Sequence, residues 1–269
     1  MTAWRWFEAY PSRGMSLDDS TALMRALVGR PRFGVLGLMP MVDFELWIRR
    51  DRLAWLVAMD ERIADRFPSE LHAQHPAVAF VPVAVPDRPT VIAGREIRFR
   101  SLVYPVRTDV AERVTAALVS IGEHLGEDEA VVLQFVIGPA QRLTTYPQQQ
   151  TPLTTLGFGI APEPDSDDRR AWRTKLSEPL FGIRGRMGAS AQSPRRAAEL
   201  TRPVYAALAL ANDRHGRVQV SPQSSRIAAQ LMRVMGRVRT WSSITNAAEL
   251  AVLTGWNVAD LDVPGVGNS

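Results

Sequence analysis

The side chains with the clearest chemical meaning are arginines. Arg226, Arg233 and Arg237 recur at i, i+7 and i+11 and fall on one face of a helix, opposite Ile227, Leu231 and Val234. Arg184 and Arg186 alternate along a stretch that reads as a strand, and Arg195 and Arg196 stand at a helix start. Guanidinium groups arrayed this way suit a polyanion backbone, because phosphate contacts need positive charge and no base-specific geometry. A solvated helix face is the plainer account of the same stripe. Of 32 basic residues only Lys175 is lysine, and residues 169–239 hold 15 Arg or Lys against Glu178, Glu199 and Asp213, a net of +12 in a chain whose total is +4. Charge so concentrated points to a polyanionic partner, with single-stranded DNA the candidate.

Other chemistry finds little support. His72 and His75 sit three apart on one helix, but no carboxylate or cysteine pattern completes a metal set, so they read as structural or solvated. Gly182, Gly185 and Gly188 could admit a phosphate to the backbone or mark close packing within a strand. No G-x-x-x-x-G-K-[ST], G-x-G-x-x-G or G-x-S-x-G spacing occurs, and Lys175 follows no glycine loop. The residues therefore assign no catalytic, cofactor or metal site, and the chain reads as a non-enzyme. Cysteine is absent, which removes disulfides and thiolate zinc sites and is compatible with a reducing compartment. The opening Met-Thr-Ala-Trp-Arg-Trp-Phe-Glu lacks the plan of a secretory signal, and no run approaches the ~20 apolar residues of a span. The expectation is a cytoplasmic protein whose membrane contact, if any, is peripheral at the inner face or made through a partner.

With 269 residues and 46% hydrophobic content, ordinary buried cores are possible. Val42, Phe44, Leu46 and Ile48 alternate with Asp43, Glu45 and Trp47 as in a half-buried strand, and Leu53, Trp55 and Val57 resume the alternation after a polar turn. Asp60 reads as an N-cap, Ile63, Phe67 and Leu71 share a helical face that Pro68 interrupts, and Ala77 to Val83 reads as a strand. This ββαβ unit, with an N-terminal helix opened by Ser16 and Asp19, defines a first region over 1–90. Trp4, Trp6, Phe7 and Tyr10 ahead of it read as an aromatic cluster docked on the main body. Ile97 to Leu102, a helix over 109–125 with an Asp109/Glu112 box, Val131 to Ile137, Leu180 to Met187, a helix from Ser193 and Pro194 to Ala211, and Arg217 to Val220 follow the order βαββαβ. That is a ferredoxin-like domain over 91–220, with an insertion at 139–179 carrying a short helix near 171–176 and otherwise partly disordered. C-terminal helices fill 221–259, the last boxed by Asn246 and Glu249 and closed by Gly255, and 260–269 resembles a linker. The fold class is α+β.

These elements carry a resemblance. Phe44-Glu45-Leu46-Trp47-Ile48 with Leu53 to Val57, the segment Ile63 to Pro76, Leu133-Gln134-Phe135-Val136-Ile137, Arg184 to Ala211, and Ala247 to Leu253 before a Pro and Gly tail are together similar to the region ahead of the motor in actinobacterial conjugation and type IV secretion ATPases. Those proteins are relatives of hexameric DNA-pumping motors. The resemblance spans nearly the whole chain through packing patterns and not through a catalytic signature. It implies a non-catalytic assembly or substrate-engaging domain. Its partners would be a motor ATPase domain or subunit, secretion-machinery proteins at the membrane, further copies of itself in an oligomer, and transferred DNA. The phosphate-binding loop that follows this region in such proteins is not in the sequence, so nucleotide hydrolysis is not carried over. The alternative is a free-standing, sequence-independent nucleic-acid-binding module, favoured by the basic segment.

Overall fold

The computed structural model describes residues 4–33, 39–84, 88–141, 143, 165–232 and 241–258. Among these, nine strands join one antiparallel sheet in an α+β fold. The first half contains β1 (Trp4–Pro11), α1 (Leu17–Ala26), β2 (Val42–Ile48), β3 (Leu53–Asp60), the short helices α2 (Glu61–Ala64) and α3 (Phe67–Gln74), and β4 (Val78–Val83). The second contains β5 (Ala93–Phe99), α4 (Ala111–Val119), β6 (Ala130–Gln141), α5 (Ser166–Leu176), β7 (Leu180–Ser190), α6 (Pro194–Ala209) and β8 (Val218–Val220). Helix α7 (Ser225–Met232), strand β9 (Ser243–Asn246) and helix α8 (Ala247–Leu253) close the described chain.

The order across the sheet is β4-β1-β3-β2-β6-β7-β5-β8, with β9 added to the start of β7. Each half thus repeats the other outward from the β2/β6 seam. Glu45 faces Gln134 across that seam, Leu56 and Arg186 lie one strand further out, and Glu8 and Glu96 one further again. A pseudo-two-fold therefore passes between Glu45 and Gln134. The Trp4–Pro11 stretch, expected only to dock on the body, is a full strand between β3 and β4 and supplies the member that completes the first half. Its aromatic run hid the alternation, because Trp6 and Phe7 are both buried, on opposite faces of the sheet.

Side-chain alternation separates two layers. Phe44, Leu46, Val57, Ile97, Leu133, Phe135 and Met187 meet α1, α4, α6 and α8 on one face. Each such buried side chain contributes about 1.5–3 kcal/mol. The helix starts follow the expected side chains at four sites, one of them Asp60, whose Oδ1 accepts from Arg62 N at 3.1 Å. Ser16 with Asp19 and Asn246 with Glu249 form reciprocal capping boxes, and Ser193 accepts from Arg196 N. Asp109 does not cap α4; it pairs with Arg107, and Val110 takes the cap position without a side-chain bond. Pro68 restarts the chain as α3 after α2, as its ring requires. After α8, Gly255 takes φ 70°, a left-handed turn that glycine makes without strain, and sends Trp256 edge-on against Phe44 at 5.1 Å. The polar run at 144–164, the tail at 260–269 and Val234 lie outside the described residues.

Candidate functional site

The face of the sheet away from α1, α4, α6 and α8 carries the charged residues. Period-2 geometry puts Asp43, Glu45 and Trp47 of β2 on this side, yet β2 is not half-buried as its alternation suggested: all three are buried. Their cover includes Arg88 and a row of cross-strand neighbours. Gln134 donates through Nε2 to Asp43 Oδ2 and to Glu45 Oε1, both at 2.9 Å, and its Oε1 accepts from Arg186 Nη1 at 3.0 Å. Two carboxylates on one side and a guanidinium on the other fix the amide orientation, since the reverse would set oxygen against oxygen. Glu45 Oε2 accepts from Trp47 Nε1 at 2.9 Å, and Arg88 Nη1 lies 3.4 Å from Glu45 Oε1. On the outer side Arg184 Nε lies 3.6 Å from Glu96 Oε1.

Burial, followed by the neighbouring Glu45 charge, raises the Asp43 carboxyl well above the usual carboxylate range, and burial lowers Arg186. Asp43 Oδ1, Arg186 Nε and Arg184 Nε are buried without a bond. Groups held this way can define register across the seam. Asp43 has no exposed surface through which to reach a substrate.

Two more buried cations are tied to the helix layer. Lys175, on α5, forms an ion pair with Glu249, which also accepts from Val106 N at 2.9 Å and Asn246 N at 2.8 Å. This pins the insertion to the start of α8, an anchor the sequence did not suggest for the lone lysine. Arg30 donates to the carbonyls of Leu27, Pro40, Ile137 and Gly138, and burial lowers its guanidinium to about 9.

The arginines that sequence singled out do not converge on one surface. Arg186 belongs to the buried row, and Arg184 is half-buried beside it, against Glu96. Arg195 pairs with Glu199, and Arg196 grips Glu129 through Nε and Nη2 at 2.8 and 2.9 Å; both sit on α6, in the other layer. Arg226 is exposed on α7, and Arg233 and Arg237 lie outside the described residues. The three β7 glycines serve close packing: a Cβ at Gly182 would meet Trp241, at Gly185 Ile97 and Phe135, and at Gly188 Leu231 and Val91, each within 3.0 Å. His72 Nδ1 lies 2.7 Å from Val78 O, and no metal-binding cluster occurs among the described residues. No helix among them is long and apolar enough to cross a membrane.

No family model and no curated protein matches the chain.

Proposed function

We propose that the chain is a non-catalytic assembly or substrate-engaging domain of a conjugative DNA-transfer ATPase of the type IV secretion kind, acting beside the motor; no phosphate-binding loop occurs within these 269 residues. The observation that carries this reading is the location of the resembling segments. Phe44 to Ile48, Leu53 to Val57, Leu133 to Ile137 and Arg184 to Ala211 supply the four central strands β3, β2, β6 and β7 with α6, and Ala247 to Leu253 is α8, packed against α1 and α4 on the helical face. The resemblance thus lies in the frame that joins the two halves, which suits a scaffold. A non-catalytic role is supported by the way buried charges are spent on one another: Lys175 on Glu249, and Gln134 between Asp43, Glu45 and Arg186. Catalytic groups instead need reach to a substrate. Exposed basic side chains in the basic segment that could meet DNA include Arg195 and Arg202 on α6, Arg214 and Arg217 before β8, and Arg226 on α7.

In-frame deletion of the codons for residues 4–258 tests the reading. DNA transfer between cells should fall to background while the level of the motor ATPase is unchanged. Undiminished transfer would reject it.

A further inference from the structure

Just ahead of β9, Trp241 lies over two strand positions that carry no side chain. A Cβ on Gly138 would meet its Cζ2, Cε2 and Cη2 at 2.2, 2.5 and 2.5 Å, and one on Gly182 its Cγ, Cδ1 and Cδ2 at 2.6, 2.9 and 3.0 Å. Adjacent ring atoms at nearly equal depth mean that the indole lies flat, its six-membered ring over β6 and its five-membered ring over β7. Any other residue at either position would lift it, so the glycines are what seat it. One face of the ring is spent on the sheet, yet Trp241 remains partly exposed. The exposed part therefore belongs to its outer face and rim.

Gly182 shares its side of β7 with Arg184, about 7 Å further along the strand. One strand outward, the register of Ile97 with Gly185 brings Arg98 beside Arg184. Arg100 follows on the same side, and its N–H donates to Arg217 O at 2.9 Å, which sets the two arginines opposite each other. Arg98, Arg100 and Arg217 are exposed. Glu96, the carboxylate of this strip, accepts from Arg98 at 2.9 and 2.5 Å and lies 3.6 Å from Arg184 Nε. With Glu96 counted against those two, Arg100 and Arg217 still have no acidic partner among the described residues. Like charges directly opposite each other destabilise a strand pair, a cost that a bridging anion removes.

We infer that this strip binds single-stranded nucleic acid, with a base stacked on the outer face of Trp241 and the phosphate backbone led past Arg184 and Arg98 to Arg100 and Arg217. An aromatic platform beside a positive track holds single strands without reading their sequence. A polyanion without bases would engage the arginines alone. Arg186 takes no part, since it is buried and donates to Gln134. The strip gives the substrate-engaging reading its contact with DNA and rests on that reading for its setting in the cell. Its test uses the purified chain, so its failure is distinguishable from undiminished transfer after the deletion.

Fluorescence anisotropy of the whole chain over a salt series tests it, with labelled oligothymidylate and oligouridylate as the DNA and RNA arms and an abasic oligomer of the same length as the base-free counterpart. At least one of the first two should bind saturably at low salt, about fivefold or more tightly than the abasic oligomer. Trp241→Leu should remove that preference. Because this change also disturbs the cover of Gly138 and Gly182, Arg100→Gln with Arg217→Gln provides a second variant. Both side chains are exposed and without an acidic partner, so the melting temperature should hold while the salt slope flattens by about 1.4 units, at roughly 0.7 per phosphate contact. Binding of neither oligomer at low salt, equal binding of the abasic oligomer, an unchanged slope in the folded double variant, or binding of anionic phosphatidylglycerol vesicles in place of the oligomers would overturn the site.

Discussion

Lys175 shows how one residue type can be legible and its role hidden. The sequence marks it as the lone lysine; only the fold brings Glu249 to it across 74 positions. Removing one member of a buried ion pair strands the other charge, so Lys175→Met should cost about 3–5 kcal/mol in chemical denaturation. Adding Glu249→Gln should return part of the loss, since glutamine still accepts from one of the two backbone N–H groups that Glu249 serves. A single mutant within experimental error of wild type would remove the anchor from the account. Asp43 makes a second test. Its folded carboxyl is raised, so the folded state holds the proton more tightly than the unfolded one. The resulting stabilisation is complete below the ordinary aspartate value of about 4 and is lost as pH rises through the raised folded value. Asp43→Asn removes that dependence, and its melting temperature should vary less than that of wild type as pH rises above about 4. Equal slopes for the two proteins would contradict the assignment.

At the scale of elements, helix α7 rests on two glycines. A Cβ on Gly94 would fall 2.6 Å from Ala228 N and one on Gly188 2.6 Å from Leu231 Cδ1, so the helix lies directly on the strand backbones. Gly188→Ala should lift α7 at a cost of about 1–3 kcal/mol. Hydrogen exchange should then quicken across 225–232 with β6 still protected; unchanged protection of α7 would refute the seating. The outer face of the same helix carries Arg226. Fluorescence anisotropy with single-stranded DNA over a salt series should show a slope that Arg226, Arg233 and Arg237 changed together to glutamine flatten by about two units, at roughly 0.7 per phosphate contact. A solvated face leaves the slope as it was. Much of this layer was legible. Val131 to Ile137 could be read as a strand buried on both faces because apolar residues fill both parities, and both capping boxes could be read because their four residues are local. β1 escaped because consecutive aromatics blur a period of two, and β9 because Ser243 to Asn246 has no apolar pattern of its own and exists only by pairing with β7. The Asp43–Gln134–Arg186 row was illegible for a third reason. Register decides which polar residues meet, and register is a property of strand pairs that lie 91 and 52 positions apart.

For the whole molecule, the pseudo-two-fold between Glu45 and Gln134 explains why the two regions drawn from sequence, 1–90 and 91–220, share one sheet. The seam joins β2 to β6 over seven register pairs, and α8, entered from β9 on the second half, packs against both α1 and α4. A body of this kind is a stiff platform with a helical layer on one side and a charged, partly covered face on the other. The proposed role follows from that platform being held against a motor, whether in the same chain or in a separate one. Site-specific photo-crosslinking in cells engaged in DNA transfer measures this most directly, with the reactive side chain placed at Arg195 on the helical layer or at Arg226 on α7. The account predicts that at least one position yields an adduct with a phosphate-loop ATPase of the transfer apparatus, identified by mass spectrometry and dependent on that ATPase being present. Folded, crosslinkable protein that yields no such adduct from either layer would contradict it.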